Sequence, residues 1–432
     1  MSKEIPSASY RDRSLAVFPS GSNGEYAIPA DLVPVIKRGK DCRVWDSEDR
    51  QWLDMTMAWG AALVGHSHPK IIEAACRQAQ DGANFAAVNV RSLELAERIC
   101  ALSPCVERIR FVASGTEATM LCLRVAQAAN GRSKVLKFEG AYHGQHPVGV
   151  ASMLGARSEP FPQVDSAGTG AAWVDRDVLV APFNDIETTR RIIDAHAADI
   201  SAVIVEPLHR CLVPVQGFLE GLREVTAKYG IVLIFDEVVT GFRLAMGGAQ
   251  EYYSVIPDLV AYGKALGGGF PIGAYGGARE LMDVVDEFRL PGPHYAWSAS
   301  TGGGNPVSAA AALATLDVLS EPGVHEGLHA LGRRLRMRMQ ETLVACGEKG
   351  QILGDGPIAQ VGFSTSPITD QRSWLASDRK RGRAVMLELL SSGVFLNPMG
   401  TKLYLSLGHD EQCIEEFIGH FETALTRTRK VQ

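Results

Sequence analysis

Three stretches decide the fold: Ser201-Ala202-Val203-Ile204-Val205 followed by Glu206-Pro207; Ile231-Val232-Leu233-Ile234-Phe235 followed by Asp236-Glu237-Val238; and Leu259-Val260-Ala261-Tyr262 followed by Gly263-Lys264. Each is a short apolar, β-branched run that stops abruptly at a charged residue. Runs that are apolar at every position read as strands buried on both faces, as in a parallel sheet. Two more such runs, Arg108–Ala113 and Lys134–Phe138, precede them. Helical patterns lie between, at Glu117–Ala129, Thr188–Ala197 and Phe218–Tyr229. The alternation predicts βαβ units and a mostly parallel sheet across residues 105–300. In such sheets ligands bind at the carboxyl ends of the strands, so the residues just after each run are the candidates for chemistry.

The flanks read differently. A hairpin is expected around Cys42–Met55. Residues 308–348 are helical. Short strands (Ile358–Phe363, Val394–Leu396, Leu403–Leu405) mix with helices (Ala384–Ser391, Asp410–Arg427) towards the end. This predicts a smaller α/β domain built from both chain ends: an N-terminal segment 1–65, a large domain 66–320 and a C-terminal part 321–432. The Gly-, Ser- and Pro-rich stretch Met153–Ala172 reads as a mobile loop. The basic run Arg379–Arg383 reads as a solvated helix face.

Composition limits the function. The 432 residues carry 43 basic and 49 acidic side chains, a net charge of −6. That is no footprint for general nucleic-acid binding. No apolar run approaches the ~20 residues of a membrane span, and Met1–Tyr10 lacks a signal peptide's apolar core, so a cytoplasmic protein is expected. The eight cysteines form no CxxC pair; reduced thiols, and no metal site, are expected.

The strand ends carry distinctive residues. Ser114-Gly115-Thr116 opens a helix after the first run, where free N–H groups suit a phosphate; a plain helix cap reads equally from the motif alone. Tyr142-His143 sits between Gly140 and Gly144, where an aromatic can stack on a planar ligand or merely cover the core. Glu206 and Asp236 put carboxylates at the sheet rim, and Asp236 also reads as a helix cap. Lys264, ahead of a Gly-rich turn, is either a snorkelling side chain or an amine desolvated into a nucleophile. Together they supply a phosphate cradle, an aromatic lid, a carboxylate and a lysine at one edge. That set matches the needs of pyridoxal 5′-phosphate (PLP).

These segments, with Trp59-Gly60, Gly65–Pro69, Phe183-Asn184-Asp185, Phe235–Arg243, Gly263–Gly277 and Gly304-Asn305-Pro306, resemble class III, fold type I PLP-dependent aminotransferases. Within them the sequence is most similar to the glutamate-1-semialdehyde 2,1-aminomutase branch, from about Gly39 to Phe421. The resemblance implies the fold type I architecture, with a mostly parallel seven-stranded sheet in the large domain. It implies that Lys264 forms the Schiff base and shuttles protons, and that Asp236 pairs with the pyridine nitrogen. Val238 and Tyr142 would hold the two ring faces, with His143 beside them. Ser114, Gly115 and Thr116 would hold the phosphate, and Glu206 would help position Asp236. Thr301 would reach the phosphate of a neighbouring subunit, which implies a homodimer with shared sites. Trp59 would wall the substrate pocket.

The departures bear on substrate. The aminomutase's substrate-binding arginine has no counterpart in Ser22–Ala27, and its C-terminal glutamate none in Asn397–Leu403. Its active-site serine is replaced near Leu154, and Ser300–Gly304 is richer in glycine than the family pattern. Lys402 offers a substitute cation. The expected activity is amino transfer from a small-molecule donor to a ketone or aldehyde through pyridoxamine phosphate, with an acceptor other than a simple α-keto acid. An intramolecular aminomutase, another PLP reaction and a non-catalytic PLP binder are the alternatives. A nicotinamide enzyme is excluded by the missing GxGxxG turn.

Overall fold

The apolar runs assemble as one seven-stranded sheet in the order Arg108–Val112, Gly273–Gly277, Leu259–Tyr262, Val232–Asp236, Ile200–Val205, Lys134–Phe138, Val178–Ala181. The computed structural model describes residues 9–24, 28–154, 158–289, 294–396 and 402–429. All the strands run parallel except Gly273–Gly277, which is antiparallel to both its neighbours. Every residue of Ile200–Val205, Val232–Asp236 and Leu259–Tyr262 is buried, as the unbroken hydrophobicity requires. The helices Gly115–Asn130, Ile186–His196 and Phe218–Tyr229 cover the sheet.

Two of the seven strands escape the reading of apolar runs. Gly273-Ala274-Tyr275-Gly276-Gly277 has too few side chains to look like a strand. Its glycines answer to close backbone approach: a β-carbon on Gly273 would lie 2.3 Å from the Ser114 carbonyl oxygen, and one on Gly277 2.2 Å from that of Asp258. Val178–Ala181 is a four-residue edge strand, too short to stand out beside its glycine-rich approach. The strand read as ending at Phe235 runs one residue further, so Asp236 is itself in the ladder, opposite Ala261.

Both chain ends meet in a second body of structure. The hairpin Arg43–Asp46 and Gln51–Asp54 is flanked by Ile36–Lys40 on one side and, in parallel, by Val394–Phe395 on the other. A separate sheet joins Gln351–Leu353, Ile358–Gly362 and Lys402–Tyr404. Their shared core packs Cys42, Leu53 and Met55 against Phe417, Phe421 and Leu425 of the last helix, Glu411–Arg427. Arg43 fastens that helix to the hairpin through Glu416, at 2.6 Å. Among the described residues no single helix is long and apolar enough to cross a membrane.

One local expectation is corrected and another filled in. The described residues 158–172 of the loop after Met153 are irregular, as expected, and fastened to the core. Ser152 and Asp165 bond each other through the backbone and the Ser152 hydroxyl, both at 2.8 Å. Phe161 packs into the core beneath the Arg372 guanidinium, 4.0 Å from its centroid. The basic run is not uniformly solvated: Arg381 turns inward to Glu348 at 2.6 Å, both side chains largely buried.

The crowding around Gly273 sets a test. Gly273→Ala forces a methyl group onto the Ser114 carbonyl and should destabilise the fold by about 1–3 kcal/mol. It should read as a lowered urea midpoint with an unchanged slope; an unaltered midpoint would show that the ladder yields there.

Candidate active site

The parallel strands aim their carboxyl ends at one cleft of about 420 Å³, within the range of small-molecule sites. Gly115, Thr116, Tyr142, His143, Glu206, Asp236, Val238, Lys264, Lys402 and Trp59 all line it. Ser114 does not, and Thr301, expected at the phosphate of a neighbouring subunit, lies away from this cleft. Ser114 caps the helix Gly115–Asn130: its hydroxyl accepts from Glu117 N at 3.2 Å and faces the Glu117 carboxylate. Thr301 is exposed, and its carbonyl accepts from Asn84 Nδ2 at 2.9 Å. The stretch Ser22–Ala27 reaches the cleft through Asn23 and Gly24; residues 25–27, like Asn397–Thr401, lie outside the described residues.

Asp236 is held from two sides. Its Oδ2 lies 2.8 Å from His143 Nδ1, and its Oδ1 accepts the Val238 N–H at 3.1 Å. A buried carboxylate demands such partners. His143 Nε2 is itself buried and has no partner among the described residues. Glu206 makes no direct bond to Asp236 among the described residues. Its carboxylate accepts from Tyr142 N at 2.8 Å and from Arg210 N at 3.1 Å, so it anchors the aromatic and a cation. Burial pushes the Glu206 carboxyl up, but Arg210 and Lys402 outweigh burial and hold it well below the usual carboxylate range.

Lys264 follows its strand at φ +43°, a conformation an L side chain rarely holds and one that recurs at functional sites. Burial lowers its amine, opposed by the charges of Asp236 and Glu206. The nearest turn of the helix Gly115–Asn130 supplies N–H groups that no preceding turn can satisfy. A β-carbon on Gly115 would fall 2.7 Å from Val238 Cγ1, and one on Gly144 2.7 Å from Thr116 Cα. The cradle thus exists only because these positions are glycine. A phosphate at the helix N-terminus, a ring between Val238 and Tyr142, a ring nitrogen near Asp236 and an aldehyde near Lys264 are what this donor set fits.

Sequence reading missed several residues that build the site. Lys137, fully buried, donates to the carbonyls of Ala141, Val148, Gly149 and Ala151 at 2.6–3.1 Å, and burial pulls it down to about 7. It knots the loop that carries Tyr142 and His143. Trp59 sits in a left-handed turn, Met57 to Gly60, with all four φ between +46° and +83°. Asp54 holds the turn's start, accepting from Thr56 N and Met57 N at 2.7 and 2.8 Å. Arg243 holds its end by donating to the Gly60 carbonyl. Arg243 is wholly buried without an ion pair among the described residues, and burial pulls it down to about 10. A lysine inside an apolar strand and an arginine closing Asp236–Arg243 were the available signals. Arg210, four residues after Glu206, also lines the cleft.

The chain belongs to the family its fold and site define: the class-III aminotransferase family model matches residues 27–425. It is a PLP-dependent enzyme of that family. It is 39% identical over 387 residues to glutamate-1-semialdehyde 2,1-aminomutase 2 of Brevibacillus brevis, covering 89% of each chain. It is 38% identical over 433 residues to glutamate-1-semialdehyde 2,1-aminomutase of Thermomicrobium roseum, covering 98% and 99%. Among solved structures it superposes on an omega-transaminase from Sphaerobacter thermophilus with a TM-score of 0.90 at 34% identity, 98% of each chain covered. A β-phenylalanine aminotransferase from Variovorax paradoxus gives 0.85 at 29% identity, covering 95% and 91%.

Lys402 sets a pH test. Burial lowers its ammonium to about 8, with Arg210 and Lys264 adding to the effect and Glu206 and Cys211 opposing it. Its charge is therefore present below pH 8 and lost above. The affinity of the cleft for propionate should fall as pH rises through about 8, and Lys402→Met should remove that step. A flat wild-type profile would contradict this role.

Proposed function

We propose that this enzyme moves an amino group between two separately bound small molecules, an amine donor and a ketone or aldehyde acceptor. The reading rests on one observation: the Lys264 amine and the Asp236 carboxylate line the same cleft, beside the glycine-dependent cradle at Gly115–Thr116. PLP, when bound, supplies an electron sink and a carrier for the amino group. Asp236, fixed by His143 and Val238 N–H, places negative charge where a ring nitrogen would hold its proton. Lys264, its basicity lowered by burial, keeps Nζ available to attack a carbonyl and then to take and return a proton. Trp59 and Tyr142 shield the reacting atoms from water.

A second copy of the chain completes the reading. Thr301 lies away from its own cleft, beside the segment of Asn84 that continues into Phe85, Val88 and Val90. These are 49%, 83% and 68% exposed. An apolar edge beside Thr301 supports a homodimer in which each copy sends Thr301 to the other's phosphate cradle. We assign residues 66–320 to the large cofactor-binding domain, residues 1–65 and 321–432 to the small one, and the protein to the cytoplasm.

The second reading is intramolecular transfer, as the names of the two aminomutase relatives suggest. Against it stands the absence of an arginine from Ser22–Ala27 and of a glutamate from Asn397–Leu403. Titrating the PLP-loaded enzyme with amines separates the two: free keto product in step with loss of the cofactor's original absorption supports transfer between molecules, and rearrangement without released keto product supports the aminomutase. Lys264→Ala should abolish turnover with the far-UV circular dichroism unchanged; retained turnover would remove Lys264 from its role. Asp236→Asn should lower kcat by roughly 10²-fold or more, and near-normal activity would move the ring-nitrogen partner elsewhere.

A further inference from the structure

Beside the cofactor cleft lies a second chamber of about 180 Å³. The two share Trp59, Met153, Arg210, Lys402 and Tyr404. Beyond that junction the chamber is walled by the apolar side chains of Leu212, Leu353, Trp374 and Leu375 and by the polar ones of Gln360, Gln371 and Arg379. A cavity of this size has room for a group about as large as benzene, with four apolar side chains to meet it.

Arg210 stands at the junction in an unusual way. Its φ is +60°, in the left-handed region a β-carbon resists. The strain is held by two bonds, its N–H to Glu206 Oε2 at 3.1 Å and its Nε–H to the Gly140 carbonyl at 3.0 Å. The guanidinium carbon lies 5.7 Å from the Tyr142 ring centroid. These contacts fix the stem and one edge of the fork. Neither Nη atom has an acceptor among the described residues, and no carboxylate comes within ion-pair distance of the guanidinium. By contrast, Arg372 and Arg381, on the nearby helices, are each spent on a carboxylate, and Arg379, unpaired among the described residues at the chamber's far wall, is exposed to solvent where Arg210 is fixed at the junction. A rigid, planar, unspent fork beside a second cation at Lys402 is the arrangement that binds a carboxylate in two-point fashion.

We propose that Arg210 is the substrate-carboxylate clamp of this enzyme, and that its preferred substrates carry a ring-sized apolar group that lodges in the chamber behind it. The proposal rests on the aminotransferase reading for the transfer itself and adds the substrate class. It also relocates the anchor: the cation absent from Ser22–Ala27 is supplied from the turn after Glu206-Pro207.

The test compares wild type with Arg210→Gly and Arg210→Lys, all PLP-loaded. Glycine accepts φ +60° freely, which offsets part of the lost bond to the Gly140 carbonyl and of the lost charge beside Glu206, so Arg210→Gly should keep the wild-type fold, and its thermal midpoint is measured beside its binding. Calorimetry with 3-phenylpropionate should show binding to wild type, weakened about 10- to 100-fold in Arg210→Gly and partly restored in Arg210→Lys. The ratio of kcat/KM for β-phenylalanine to that for the uncharged 1-phenylethylamine should fall by a similar factor in Arg210→Gly. Filling the chamber with Leu212→Trp should weaken 3-phenylpropionate while sparing propionate. The clamp is overturned if Arg210→Gly holds 3-phenylpropionate within about threefold of wild type, or if Arg210→Gly loses stability and both kcat/KM values fall together. The ring-sized pocket is overturned if Leu212→Trp weakens both acids alike. Binding is read without turnover: an enzyme that converts no amine yet loses 3-phenylpropionate in Arg210→Gly retains the clamp and loses the aminotransferase reading.

Discussion

The site depends on keeping an amine and a carboxylate away from water at the same edge of one sheet. Desolvating either charge alone is expensive, and the surrounding structure is arranged to offset it. Asp236 is set by its strand register opposite Ala261 and then gripped by His143 and Val238 N–H. Lys264 is placed by the neighbouring strand, and burial lowers its basicity. Parallel strands make this possible, because every strand end that matters opens on the same side. The balance of charge around the cleft is lopsided. Lys264, Lys402 and Arg210 line it, with Glu206 and Asp236 as the acids, and Arg243 is buried behind the Trp59 turn. A cleft with more cation than anion is suited to anionic contents, which a phosphate and a substrate carboxylate both provide.

The same cleft holds several strained residues. Lys264, Arg210 and the run Met57-Ala58-Trp59 all hold positive φ without being glycine. Left-handed backbone costs roughly 1–2 kcal/mol per residue, so each needs external support. Asp54 and Arg243 brace the Trp59 turn at its two ends, and Glu206 with Gly140 braces Arg210. Arg243 links the two bodies of structure as well, lying 5.6 Å from the Tyr404 ring centroid while bonding Gly60. The pocket wall and the catalytic sheet are thus tied through one buried guanidinium.

Much of this was legible in sequence because burial leaves a local mark. Strands buried on both faces are apolar at every position, and a charge at the end of such a run is conspicuous; Asp236 and Lys264 stood out for that reason. The glycine-rich strand Gly273–Gly277 did not, because what makes it a strand is the backbone packed against it and no side-chain pattern. Arg210 was hidden for another reason. Its role comes from a left-handed turn that returns it to the cleft, and nothing in Leu208-His209-Arg210-Cys211 announces that turn. Lys137 was concealed inside an apolar run, where its four carbonyl acceptors come from a loop folded over it. Ser114 serves first as the helix cap, the other role its motif offered.

Among several lysines with lowered basicity, Lys264 is the one placed to bond the cofactor. Burial also lowers Lys137 to about 7 and Lys402 to about 8, so low basicity alone does not single it out; its place beside Asp236 does. The most direct measurement is borohydride trapping of PLP on the purified protein, followed by mass-spectrometric mapping of the modified peptide. The label should fall on Lys264 alone. A label on Lys402 or Lys137, or none at all after reconstitution, would contradict that placement.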